Sequence, residues 1–221
     1  MESCVTWGMP KRPKSCKGFL RPDRENTEKG RSSWESRCLN CEISPRKYAD
    51  LDDRSVVGLL QSAIHEERLL SLLILIRKYS RGTDEEKKRI YGMYLANTRY
   101  INNWDLVDLS AEHIVGHFVM KRSKQPLHEL ARSSSLWERR IAIMATFRFI
   151  KQHQYKETLK IAKILMTDEE DLIHKAVGWM LRETGKRDLK VEEEFLKKHY
   201  KKMPRTMLRE KARMPRSEEQ G

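Results

Sequence analysis

The chain has 221 residues, of which 45 are Lys or Arg and 32 are Asp or Glu, giving a formal charge of +13. Hydrophobic residues make up 38% and charged residues 35%, with ten glycines and seven prolines, so turn formers are too few for an all-β fold and helices should dominate. No apolar run can span a bilayer and no signal-peptide core is present, which leaves a polyanion, nucleic acid ahead of an anionic membrane, as the partner such an excess of charge fits.

Residues 1–45 are rich in Ser, Arg, Pro and Cys and show no apolar period, the composition of a disordered basic tail. They hold nine basic and six acidic residues, so the remaining chain carries +10. All four cysteines, Cys4, Cys16, Cys38 and Cys41, lie here. Cys38 and Cys41 have knuckle spacing, but no second close pair completes a site, so no metal is expected. The cysteine-free remainder fits a reducing cytoplasm.

From Arg46 the pattern becomes helical and stays so to Arg213, with a polar tail at 214–221. The expected helices run Arg46–Ser62, Ile64–Tyr79, Asp84–Leu95, Trp104 to about Met120, Pro126–Arg132, Leu136–Lys151, Tyr155–Met166, Glu169–Thr184, Leu189–Lys202 and Pro204–Arg213. Thr83 with Glu86 and Ser135 with Glu138 read as capping boxes, Asn103 as an N-cap, and Gly185 and Pro204 as stops. No strand is expected.

His65, Ile101, Trp137 and Ile173 recur every 36 residues, each near the start of the more apolar helix of a pair. That period predicts an all-α solenoid of HEAT-like repeats. Counting from those four residues, the fourth positions are Arg68, Trp104, Arg140 and Ala176, and the seventh and eighth include Asp108 and Trp179. Positions four, seven and eight share one helical stripe, so Trp104, Asp108, Arg140 and Trp179 should line one surface of three successive helices. Taken singly, each has a plainer reading: a Trp is more often core, an Asp pairs with a nearby cation, and Arg139–Arg140 is a solvated face. His113, His117 and His174 read as structural.

Two aromatics, one carboxylate and flanking cations suit attack at a sugar. A ring-alkylated base is already cationic and leaves without protonation. A carboxylate can then stabilise an oxocarbenium-like sugar and orient water, indole faces favour the cation, and Arg grips phosphate.

The stretches INNWDLVDLSAEHIVG, LARSSSLWERRIAI, DLIHKAVGWMLRETGKRD and KKMPRTMLR closely resemble the AlkD-type DNA alkylation repair family, DNA glycosylases built of HEAT-like repeats, over roughly Arg46 to Arg209. The resemblance implies Asp108 as catalytic carboxylate, Trp104 and Trp179 as sugar-contacting aromatics and Arg140 as a phosphate contact. It further implies a metal-free, cofactor-free enzyme that excises cationic N3- and N7-alkylated purines from double-stranded DNA. Such a protein is expected to be a monomer, cytoplasmic and associated with the nucleoid. Arg68, Arg139, Lys197, Lys198, Lys201, Lys202 and Arg205 are candidate DNA-binding residues, the lysine cluster having an equally good reading as a solvated face.

Family members usually open with helices carrying a segment like FFKTGPGEYGEGDxFLGIRVPxLR, absent here. With suitable codons, a one-nucleotide shift over Phe19 to Ser44 encodes LKTGPGEYGEG and FLGIPLPELRNLA. Residues 1–45 are therefore expected to be an out-of-frame product, a reading that the nucleotide sequence tests. The competing function is a non-catalytic helical-repeat module that binds DNA or a protein. A carboxylate at the centre of a basic groove favours the enzyme, because a phosphate-binding groove gains nothing from an anion there.

Overall fold

The computed structural model describes Tyr48 and residues 51–212; the expectations for residues 1–45, the four cysteines and the 214–221 tail lie outside the described residues. Within them the chain is all helical, with no strand. The helices are α1 (Asp53–Leu60), α2 (His65–Arg81), α3 (Asp84–Ala96), α4 (Trp104–Ser110), α5 (His117–Met120), α6 (Gln125–Leu130), α7 (Leu136–Ala145), α8 (Phe147–Ile150), α9 (Lys156–Leu165), α10 (Asp171–Gly185), α11 (Leu189–His199) and α12 (Arg205–Ala212).

Local chemistry sets several boundaries. The Thr83 hydroxyl accepts from the Glu86 amide while the Glu86 carboxylate accepts from the Thr83 amide, so the first capping box forms as expected. Asn103 caps α4 by accepting from the Trp104 amide at 2.7 Å. The second expected box does not form. Ser135 makes no side-chain cap, because Glu138 is drawn away to accept from Thr98 at 2.7 Å and from Ser133 at 2.5 Å. Asp188 caps α11 instead by accepting from Val191, a bond the sequence reading missed.

The single helix expected from Trp104 to Met120 is interrupted by a π turn at Glu112–Gly116. One residue is inserted into the hydrogen-bond ladder, as the Gly116 amide reaches Ala111 at 2.9 Å. Gly116 is required at this crossing: a Cβ there would stand 2.2 Å from the Ala145 carbonyl oxygen at the end of α7. The expected helix Leu136–Lys151 likewise divides at Thr146, whose hydroxyl and amide both turn back to Ile143.

Helices α2, α4, α7 and α10 pack in series, each against the next, while α1, α3, α6, α9 and α11 lie against them. This is the helical-repeat arrangement, with one layer of second helices carrying a continuous core through Leu72, Leu75, Leu106, Val107, Ile141, Ile143, Ile173 and Val177. No helix of the described residues is long and apolar enough to cross a membrane.

The repeat register differs slightly from the 36-residue count. A hydrogen-bonded turn precedes three of the four second helices: Ser62 accepts from the Ile64 amide, Ser133 from Ser135 and Asp168 from Glu170. In each case a side chain six residues on returns to the turn's carbonyl, namely Arg68, Arg139 and His174. From Ser133 to Asp168 the step is 35 residues. Arg139, rather than Arg140, is therefore the counterpart of Arg68. The repeat of α4 breaks the pattern, with a 3-10 turn at Thr98–Tyr100 before a helix that begins only at Trp104.

Candidate active site

The first turns of α4 are tied on both flanks. Toward α2, Asp105 meets His65 Nε2 at 2.7 Å. Toward α7, Asp108 takes a bidentate ion pair from Arg140, with Nε to Oδ1 at 3.0 Å and Nη2 to Oδ2 at 2.9 Å. Between these ties Trp104 projects into solvent and is 54% exposed, unusual for so large an apolar side chain. The aromatic and the carboxylate expected from the sequence thus stand one helical turn apart at one surface.

Arg140 is placed differently from expectation. Its residue is buried, and besides the two bonds to Asp108 its Nη1 donates to the Leu172 carbonyl at 2.5 Å. A guanidinium so engaged does not offer its fork to a phosphate; it fixes both oxygens of Asp108 and joins α4 through α7 to the start of α10. The sequence placed the two on one stripe, but a contact between stripes of neighbouring helices depends on their spacing.

Behind Asp108 the helix is anchored by buried polar groups. The Tyr94 hydroxyl donates to Ser110 at 2.8 Å, and Ser110 donates to the Leu106 carbonyl at 2.6 Å. Burial pushes the Tyr94 hydroxyl's pKa up, and the Asp108 charge adds to that. Asp108 itself is only 15% exposed, a carboxylate at the floor of the surface rather than on its rim.

Trp179, on α10, is half-buried and lies 6.3 Å from the Phe147 ring at a 44° tilt. Lys151 and Arg187 approach the same Phe147 ring at 4.4 and 5.8 Å. Lys151 in turn pairs with the buried Glu112 at 2.7 Å, one helical turn beyond Asp108.

The remaining candidate contacts fall into two groups. Arg139 is held by Asp168, at 2.6 and 3.3 Å, and by the Ser133 and Ser134 carbonyls. Arg68 bonds to the Ser62 carbonyl and approaches His65, while its Nε is buried with no hydrogen-bond partner among the described residues. By contrast Lys197, Lys198, Lys201, Lys202 and Arg205 are all exposed, on α11, the following 3-10 turn (Tyr200–Lys202) and the start of α12. Among the described residues, Lys197 alone of these pairs with a carboxylate, 4.0 Å from Glu193. No group of three or more His, Cys, Asp or Glu among the described residues is placed to hold a metal ion.

Solved structures share this fold. A protein of Enterococcus faecalis described as a predicted DNA alkylation repair enzyme superposes with a TM-score of 0.59 at 18% identity, covering 78% of this chain and 81% of that one. AlkD2 from Streptococcus mutans superposes with a TM-score of 0.54 at 19% identity, covering 80% and 85%. At these identities the likeness is one of fold. No curated protein sequence is significantly similar to the chain. The sequence profile of the DNA alkylation repair enzyme family, however, matches residues 43–213, and the chain belongs to that family.

Proposed function

We propose that the protein is a monofunctional DNA glycosylase that hydrolyses the N-glycosidic bond of cationic N3- or N7-alkylated purines in double-stranded DNA. The observation that carries this reading is the arrangement on α4: a solvent-facing Trp104 beside a recessed Asp108 whose two oxygens are fixed by one guanidinium. A surface that only bound phosphate would place a cation at that point.

In this mechanism the C1′–N bond breaks, the bonding pair stays with the purine, and the alkylated base leaves neutral. The sugar is left oxocarbenium-like. Trp104 covers one side of it, Asp108 stabilises its charge, and a water adds to C1′ and gives its proton to the carboxylate or to solvent. Trp179 contributes a second aromatic wall. Arg140 acts through Asp108 by holding the carboxylate in one orientation. The exposed Lys197, Lys198, Lys201, Lys202 and Arg205 meet the DNA backbone, Arg68 joins them at the α2 end, and Arg139 braces α7.

The test is release of N7-methylguanine from methylated duplex DNA. Asp108→Asn should lower the rate by roughly 10²–10³-fold, the scale of one lost electrostatic stabiliser, with duplex binding retained. Unchanged release in that variant would overturn the role of Asp108 and favour a binding-only module.

A further inference from the structure

At the far end of the same helix, donor groups from four elements gather around one histidine. His117, at the start of α5, sits edge-on to Tyr79 of α2, and its Nδ1 is 3.0 Å from the tyrosine hydroxyl. Burial pushes the Tyr79 pKa up to about 12, so this hydroxyl keeps its proton and donates it. His117 Nδ1 is then the acceptor, and Nε2 carries a proton with no partner among the described residues.

Three chain segments bring cations to this imidazole. Arg148 on α8 lies against Gly116, its Cβ 3.0 Å from where a Cβ on Gly116 would stand, and its Nε is buried with no hydrogen-bond partner among the described residues. Arg122 lies 4.2 Å over the Phe118 ring and donates one N–H to the Phe118 carbonyl. Tyr91 of α3 stacks on Phe118 at 4.0 Å, which sets Lys87, one turn earlier on α3, beside the cluster. Lys121 follows α5 directly. Lys87, Lys121 and Arg148 have no ion-pair partner among the described residues, and Asp84 is the carboxylate that faces Tyr79.

We propose that His117, Arg148, Lys87, Lys121 and Arg122 form a binding site for a tetrahedral phosphate oxyanion, supplied by the backbone of a duplex lying along α4 and α5. Every group in it can donate, and Lys87, Lys121 and Arg148 have no ion-pair partner among the described residues, so an oxyanion meeting the His117 Nε2–H would find charged donors around it. Burial first, and then the charges of Arg148, Lys87, Lys121 and Arg122, hold the His117 pKa below its ordinary value. His117 is nine residues beyond Asp108, or about 13 Å along the helix. A phosphate there belongs to the duplex segment flanking the reacting nucleotide. The backbone as source rests on the DNA reading above; the oxyanion chemistry does not.

The experiment compares wild type with Arg148→Gln and with the surface double variant Lys87→Ala/Lys121→Ala, each first shown to keep its melting temperature. Binding of undamaged duplex is measured against salt, and inorganic phosphate is titrated while the ¹⁵N signals of His117 are followed. Weaker duplex binding, with the slope of log K on log salt shallower by about 1 per lost contact, identifies a phosphodiester. A phosphate-dependent His117 shift that the variants lose, with duplex binding unchanged, identifies free phosphate as the source. If neither duplex affinity nor the His117 signals respond, the site is refuted. Undamaged duplex contains no lesion, so these results stand whether or not base release is observed.

Discussion

Asp108 and Arg140 make each other's conformation. The pair is largely buried, so removing the guanidinium takes both of its bonds from the Asp108 carboxylate, and Arg140→Ala should cost about 3–5 kcal/mol of folding free energy in urea denaturation. Arg140→Lys should recover only part of this, because an ammonium cannot bond both Asp108 oxygens and the Leu172 carbonyl from one plane. A Lys variant as stable as wild type would show that charge alone suffices. At this scale periodicity places Trp104, Asp108, Arg140 and Trp179 on one stripe, and the structure brings Asp108 and Arg140 into contact. The sequence was silent on which would bond to which. Arg139 and Arg140 are adjacent, yet one reaches forward to Asp168 and the other back to Asp108, a divergence set by the 100° between neighbours on a helix and by where α4 and α10 lie.

Helix existence was legible because amphipathic stripes at a 3.6-residue period need only the sequence. Interruptions were not, since their causes are contacts between helices. The Glu112–Gly116 π turn and the crossing at Gly116 belong together: the close approach to Ala145 carries α8 and Arg148 against this helix. Gly116→Ala should therefore destabilise by about 1–3 kcal/mol or more, as overpacking against backbone does. Gly92, midway along α3 with nothing within 4 Å of its would-be Cβ, is the internal control. Gly92→Ala should stabilise by about 0.5–1 kcal/mol, the helical preference for alanine. Thermal unfolding of the two variants gives opposite signs if crossing distance, not helix propensity, governs Gly116. The expected Ser135 box that does not form has the same origin as the missed π turn. Glu138 had the right spacing for a box, but Thr98 from the preceding repeat competed for it.

Over the whole molecule, charge and burial give two further expectations. The +10 carried beyond residue 45 should make binding to undamaged duplex fall steeply with salt, and a flat dependence would instead point to a protein partner. Two acids near the C-terminal end respond to pH in opposite senses. Burial raises the Glu192 pKa above 4.5, with Lys211 only partly offsetting it. Burial also acts on Glu183, but Arg187 and Lys186 outweigh it and leave that pKa lowered. For Glu192 the unfolded chain ionises first as pH rises, so its contribution is fully present below pH 4.5 and is lost as pH rises through the folded value. For Glu183 the folded state ionises first, and its contribution is lost as pH falls. Glu192→Gln should gain stability relative to wild type as pH rises above 4.5, whereas Glu183→Gln should lose it as pH rises toward 4.5 from below; urea midpoints on both sides of pH 4.5 check the pair.

The π turn also gives this helix a tolerance in length. Because the Gly116 amide bonds five residues back to Ala111, the turn takes up one residue more than an α ladder would without turning the helix beyond it. Removing a single residue between 112 and 115 would let that same amide reach Ala111 as an ordinary α-helical bond, leaving His117 against Tyr79, Phe118 on Tyr91 and Gly116 at Ala145. A one-residue deletion should therefore be tolerated within this turn, whereas one placed elsewhere between Trp104 and His117 would turn the residues after it by about 100°.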